Sequence, residues 1–149
     1  MTTANTQPIY VGSAINWELK LTNQVTPRKI TTESPVLLGT FGSNGGLIWN
    51  IRCLPLGINA ATVLRLYGVK SGSSSFSEAS LLFETSLPAI ESVSDSLAVS
   101  ETEVVMPRIY TKESSQAKGF TGEGGYSIYA GLGTAVANGW QILVNGGNY

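Results

Sequence analysis

The chain of 149 residues contains no histidine and only one cysteine, Cys53. Histidine is the commonest general base near neutral pH and the commonest transition-metal ligand, so its absence removes the usual hydrolytic triads and zinc sites. A single cysteine excludes a disulfide within the chain. The sequence therefore predicts a protein that is not an enzyme and holds no metal or cofactor, and whose stability comes from packing or assembly.

Charge is also scarce. Nine Lys and Arg residues stand against ten Asp and Glu, and charged residues make up 13% of the chain, about half the fraction of an ordinary globular domain. A net charge of -1 argues against nucleic-acid binding, which needs a basic field, and no basic patch suits a membrane surface. The neutral surface favours a subunit that covers part of itself with partners. A Ser/Thr-rich secreted or viral β domain is the alternative.

Long apolar runs are absent too. No segment approaches the roughly 18 apolar residues of a membrane-spanning helix. The first residues, MTTANTQP, have neither the basic region nor the apolar region of a secretory signal. We therefore expect the chain to be made and retained in a cytosol, or released by lysis.

Apolar and polar residues alternate along many short segments, which is typical of strands with one buried face. Gly-rich and Ser-rich turns separate these segments, and no βαβ rhythm is present. This pattern predicts an all-β antiparallel sandwich, an eight-stranded jelly roll, over residues 13–149, with residues 1–12 as an extended N-terminal arm. A short helix over Phe76–Leu82 is an alternative to strand there. The predicted strands are 15–21, 36–41, 47–54, 62–70, 80–87, 104–110, 125–130 and 140–144.

Alternation also predicts that all three tryptophans, Trp17, Trp49 and Trp140, lie in the core. Trp49 is expected on one buried face of its strand with Leu47, Ile51 and Cys53. These four residues follow one another at every second position.

The end of the sequence, NGWQILVNGGNY, predicts a closing core strand. Asn138-Gly139 is a strong signal for a two-residue hairpin turn, which would deliver Trp140–Val144 to the core. Gly146-Gly147 would then turn the backbone tightly, so that Tyr149 folds back or meets a neighbouring subunit.

Acidic residues cluster in the segment IESVSDSLAVSETEV. Their spacing does not match an EF-hand, and no glycine stands at the position of its turn. A solvated acidic loop is the main interpretation, and a weak irregular cation site is the alternative. The carboxylates are Glu91, Asp95, Glu101 and Glu103.

Tyr126 and Tyr129 offer a second kind of site. Aromatic rings stack on the faces of sugar rings, and the tyrosine hydroxyl forms hydrogen bonds beside them. An odd separation along a strand places the two side chains on opposite faces, so only one can join a shared platform. These residues carry the alternative hypothesis of a glycan-binding adhesin module.

Three segments of the chain resemble a family of small tailed-phage and prophage proteins. They are TTANTQPIYVGSAINW, GGLIWNIRCLPLGINAATVLRLYGV and GWQILVNGGNY. The chain departs from the family pattern in its long middle loops and in Asn148, where Asp is common. The matching positions are Thr3–Thr6, Ile48–Ile51, Val63–Leu66, Gly139-Trp140 and Gly146–Tyr149.

The resemblance implies a virion structural protein with a β-sandwich fold, most simply a capsid decoration or cement protein on the capsid surface, made in the host cytoplasm. Such a protein is expected to form a homotrimer and to bind and bridge subunits of the major capsid protein. Within the predicted arm, Pro8, Ile9, Tyr10 and Val11 form an apolar patch suited to adding to a neighbour's sheet edge. We expect these four residues and Tyr149 to contact the partner. The alternative remains a tail-tip adhesin that recognises a host surface glycan.

Overall fold

A computed structural model of the chain describes residues 12–22, 35–70, 80–105, 108–109, 117–118 and 120–149. These residues form eleven β-strands and no helix, and so none that is long and apolar enough to cross a membrane. The strands are β1 (Ser13–Leu21), β2 (Val36–Thr40), β3 (Gly46–Pro55), β4 (Thr62–Val69), β5 (Ser80–Leu87), β6 (Thr102–Glu103), β7 (Arg108–Ile109), β8 (Ala117–Lys118), β9 (Phe120–Gly122), β10 (Ser127–Leu132) and β11 (Trp140–Asn148).

Two antiparallel sheets pack against each other around one apolar core. In the first sheet the order is β1-β11-β3, and both β6 and β9 pair with the far edge of β3. The second sheet has the order β2-β10-β4-β5, and β7 pairs with β8 in a separate ladder. The predicted all-β sandwich is confirmed.

The strand pairing is nested. β1 pairs with β11, β2 with β10, β3 with β6 and β9, and β4 with β5. Within the two large sheets, β4 and β5 are the only described strands that are neighbours both along the chain and in the sheet. From β1 to β4, and again from β9 to β11, each strand lies in the sheet opposite to the one before it, so these connections cross between sheets.

The predicted hairpin at Asn138-Gly139 is therefore wrong, because β10 and β11 belong to different sheets. Residues 133–139 carry the chain from one sheet to the other. Gly139 has a φ of 87°, a left-handed conformation that glycine adopts without strain. The Asn-Gly pair correctly predicts a turn at this position, but the turn connects two sheets and not two paired strands.

The closing strand lies in the middle of the first sheet, between β1 and β3. Trp140, Ile142 and Val144 are all buried, as the alternation predicts. The strand continues through Gly146 and Gly147, which pair with β1 and β3, so the tight turn predicted there is wrong. A Cβ on Gly146 would overlap the carbonyl oxygen of Leu47. Glycine is needed here for close approach between strands rather than for turning.

The predicted core position of Trp49 is also wrong. Asn50 pairs with Asn145, but the next pair along is Ile48 with Gly146, so Trp49 is an extra residue in β3. This β-bulge interrupts the alternation. Ile48 and Ile51 are both fully buried, and Trp49 is 46% exposed. Trp17 is partly buried and packs edge-on against Phe41, with the ring centroids 5.5 Å apart.

Other predictions concern boundaries. Of the single strand predicted over 104–110, residues 108–109 form β7, residues 104–105 belong to no strand, and residues 106, 107 and 110 lie outside the described ranges. Residues 80–82 of the alternative helix belong to β5, and residues 76–79 lie outside the described ranges. Residues 1–11 of the predicted arm also lie outside them. The backbone N–H of Gly12 donates to the carbonyl oxygen of Asn148 at 2.7 Å.

Gly39 in β2 lies directly beneath the Trp17 ring. A Cβ at this position would overlap several ring atoms, and such overpacking destabilises a core by about 2 kcal/mol. We expect Gly39→Ala to lower the free energy of unfolding by about that amount in urea titrations. Gly133→Ala is the matched control, because its Cβ would meet its nearest neighbours, in Arg65 and Val63, at an ordinary 3.6 Å. Equal stability of the two variants would contradict the close Trp17 contact.

Candidate binding surfaces

In the part of the chain that the structure describes, Cys53 and the acidic cluster do not come together as a reactive centre. Cys53 is fully buried in the core, as predicted, and this burial raises the pKa of its thiol to about 12. The reactive thiolate is therefore scarce near neutral pH. Within the ranges given above, no three acidic or cysteine side chains come together as metal ligands. Glu101 instead accepts a hydrogen bond from Nη1 of Arg52 at 3.3 Å.

A groove with a volume of about 440 Å³ lies at one end of the sandwich. One wall is the end of β3 and the turn after it, residues 54–57, and the other is the connection from β5 to β6, chiefly Val93, Leu97 and Ala98. We call this surface the end groove. Two backbone hydrogen bonds between Asn59 and Ile90, of 3.1 and 2.8 Å, hold its two walls together.

The end groove is apolar and open to solvent. Leu97 is 75% exposed, and Leu56 and Val93 are also exposed. A cluster of exposed large apolar side chains marks an interaction surface, because isolated apolar residues are common on protein surfaces but contiguous ones are not. Ile58, just beyond the groove, is exposed as well. This end of the molecule therefore suits contact with another protein.

The charges in the connection from β5 to β6, which forms one wall of the end groove, have one sign. Glu91 and Asp95 lie exposed in the same connection as Val93 and Leu97, as the solvated-loop interpretation predicted. Residues 88–105 contain no Lys or Arg. A partner that places an apolar side chain in the groove would meet carboxylates at its rim, so basic residues around that side chain would be complementary.

A buried asparagine fixes the turns behind the end groove. Oδ1 of Asn59 accepts hydrogen bonds from the backbone N–H groups of Asn138 and Gly139, each at 3.0 Å. Its Nδ2 donates to the carbonyl oxygen of Gly139 at 2.9 Å, which also accepts from the N–H of Leu56 at 3.0 Å. One side chain thus joins the turn after β3 to the connection before β11.

The outer face of the first sheet carries a second surface that the sequence analysis did not identify. Asn16, Asn145 and Asn50 lie side by side on β1, β11 and β3, and Trp49 protrudes beside Asn50 at the bulge. Each asparagine is unremarkable in the sequence. Only the strand register places the three in one row, and only the bulge moves Trp49 out of the core.

The two tyrosines of the glycan hypothesis do not share a surface. Tyr126 packs against the core and lines a cleft of about 270 Å³ with Lys70, Phe120 and Glu123. Burial, and then the negative charge of Glu123, raise the pKa of its hydroxyl. Tyr129 alternates with the core residues Ile128 and Ala130 and so lies on the outer face of the second sheet.

The residues predicted to contact a partner are only partly described. Pro8, Ile9, Tyr10 and Val11 lie outside the described residues. Tyr149 is partly exposed, and its backbone N–H donates to the carbonyl oxygen of Gly45 at 3.0 Å. Tyr149 therefore lies at the end of the first sheet where β11 ends, whereas the end groove lies near the start of β11, where Trp140 pairs with Pro55.

Comparisons of the chain with protein-family models, with curated proteins and with solved structures find no match. The functional argument therefore depends on the surfaces described above and on the sequence motifs.

Proposed function

We propose that the protein is a structural component of a bacteriophage virion, a capsid decoration or cement protein that binds subunits of the major capsid protein. The observation that carries this proposal is the end groove, an exposed apolar surface on a domain whose charged fraction is only 13%. The resemblance of three segments to tailed-phage proteins supports the same assignment. The predicted homotrimer belongs to this proposal, and light scattering of the purified protein tests it.

The nested strand pairing supports the finer fold prediction. In a jelly roll of eight strands the first pairs with the last, the second with the seventh, the third with the sixth and the fourth with the fifth, as in a long hairpin rolled into two sheets. The pairs β1 with β11, β2 with β10, β3 with β6 and β9, and β4 with β5 follow this scheme. We therefore propose a jelly roll with short additional strands.

In the proposed interaction, an apolar side chain of the capsid subunit enters the end groove while basic residues face Glu91 and Asp95. Complete burial of one large apolar side chain stabilises an interface by about 2 kcal/mol. A capsid shell presents many equivalent binding sites. Contacts of moderate affinity therefore give strong overall binding when several copies of this protein are linked in one assembly. The predicted contacts of Pro8–Val11 and Tyr149 would add to those of the groove.

We expect Leu97→Asp to weaken binding to the capsid at least about tenfold, because the apolar side chain of the partner would lose its contact with the most exposed apolar side chain of the groove and would instead bury a charged carboxylate, whose desolvation is costly. Co-sedimentation with capsids stripped of this protein measures the change. The fold should be unaffected, since Leu97 is 75% exposed.

Leu37→Asp is the matched control. Leu37 is 49% exposed and pairs with Tyr129 across the second sheet, away from the groove. The same chemical change there should leave capsid binding within about twofold of the unaltered protein. If Leu97→Asp binds as tightly as Leu37→Asp, the end groove is not the capsid-binding surface.

A further inference from the structure

The bulge in β3 presents an aromatic ring on the outer face of the first sheet. Strict alternation would place one residue between the buried side chains of Ile48 and Ile51, but two stand there, Trp49 and Asn50. Both point away from the core. A buried tryptophan removes more apolar surface from water than most other side chains. Trp49 is 46% exposed and so contributes only part of that stabilisation. Its position therefore suits contact with a ligand better than stabilisation of the fold.

The asparagine row beside this ring has unused hydrogen-bonding capacity. Asn145 Nδ2 donates to Asn16 Oδ1 at 3.0 Å. Asn50 Oδ1 is shielded from solvent, and in the part of the chain that the structure describes it has no hydrogen-bond partner. Nε of Arg52, two residues further along β3, is in the same condition. An acceptor and a donor without partners each carry a desolvation cost, and rotation of either side chain toward a bound polar group would remove that cost.

The electrostatics of the face select among ligand classes. Arg52 pairs with Glu103 across the sheet and is bonded to Glu101, and Glu18 lies on the same row beyond Leu143. Carboxylates on both sides of the one guanidinium disfavour a polyanion such as nucleic acid. Among the described residues of this row and of the asparagine row, Trp49 is the one exposed large apolar side chain and Leu143 is half-buried, whereas the core of a protein interface needs several large apolar side chains.

We propose that this outer face, formed by Trp49, Asn50, Asn145, Asn16 and Arg52, binds a neutral oligosaccharide. One pyranose ring stacks on the indole of Trp49, and ring hydroxyls, which both donate and accept, pair with the exposed amides of Asn16 and Asn145 and with Asn50 and Arg52 once these two side chains rotate toward the ligand. The site is distinct from Tyr126 and Tyr129 and from the end groove, and the inference does not rest on a role in the capsid.

The test uses the full chain on an array of immobilised neutral and acidic oligosaccharides that includes glucose, galactose, mannose and N-acetylglucosamine series. We expect binding to at least one neutral series and a loss of about tenfold or more in Trp49→Ala, with partial retention in Trp49→Phe, which keeps an aromatic face. Asn50→Ala should also weaken binding. Thermal unfolding of each variant verifies that it is folded.

Tyr126→Ala serves as the control at the other aromatic cleft and should leave binding unchanged. The proposal is overturned if the unaltered protein binds no neutral oligosaccharide, if Trp49→Ala binds normally, or if only Tyr126→Ala abolishes binding. Loss of capsid binding in Trp49→Ala, without any glycan binding by the unaltered protein, would identify the face as a protein interface and also overturn it.

Discussion

Replacing Trp140 by alanine is expected to lower the free energy of unfolding by about 4 kcal/mol. Trp140 has no exposed surface, and among the described residues it is the largest fully buried side chain. It stands at the start of the central strand β11, opposite Leu21 of β1 and Pro55 of β3, so the cavity would open between three strands that cannot all close over it. Urea denaturation followed by circular dichroism measures the loss.

That loss is a large share of the roughly 5–15 kcal/mol by which a domain of this size is stable. Trp49→Ala provides the matched comparison, because it removes the same side chain from a position that is 46% exposed. We expect a change of at most about 1 kcal/mol there. Equal losses in the two variants would contradict both the closing-strand assignment of β11 and the outward position of Trp49.

The contrast between these two tryptophans shows how far alternation predicts this fold. Trp140, Ile142 and Val144 alternate with more polar or less buried neighbours, and their core face follows directly. β3 is apolar at 47, 48, 49, 51, 53 and 54, so alternation alone admits two registers. The bulge selects between them, and it depends on a partner, Gly146, whose missing side chain allows the backbones to approach.

The binding surfaces were less predictable than the sheets, for a related reason. The end groove combines residues 54–57 with residues 93–99, and the asparagine row combines β1, β3 and β11. Such juxtapositions depend on strand order, which a single sequence does not encode in its local pattern. Composition did predict the general character of the surface, with little charge and an exposed acidic loop at residues 91–95.

The hairpin prediction at Asn138-Gly139 failed because local turn chemistry was outweighed by a distant side chain. Asn-Gly favours a left-handed turn, and Gly139 does have a positive φ. The three hydrogen bonds from Asn59, about 80 positions away along the sequence, use that turn to join two connections instead of two paired strands. Asn59 is polar and lies between strands, and nothing in its sequence neighbourhood distinguishes it from a surface residue.

Asn59→Ala is therefore expected to lower the free energy of unfolding by about 3–4 kcal/mol. Asn59 is only 3% exposed, and its side chain makes three hydrogen bonds to the backbone of Asn138 and Gly139. Its removal leaves the buried N–H of Gly139 without a partner, and such a group costs about 1–3 kcal/mol in addition to the bonds lost. Thermal and urea unfolding measure the effect.

Asn138→Ala is the matched control in the same connection. Its Nδ2 donates to the carbonyl oxygen of Ile58 at 2.6 Å, but this bond is exposed to solvent, so water replaces it and the expected loss is below about 1 kcal/mol. Asn59→Asp keeps the two bonds accepted by Oδ1 but loses the donor and places a negative charge against the carbonyl oxygen of Gly139. It should be at least as destabilising as Asn59→Ala at neutral pH and should recover stability on acidification, when the protonated carboxyl can donate again. A loss in Asn59→Ala no greater than in Asn138→Ala would mean that the end of the sandwich is held by strand pairing alone.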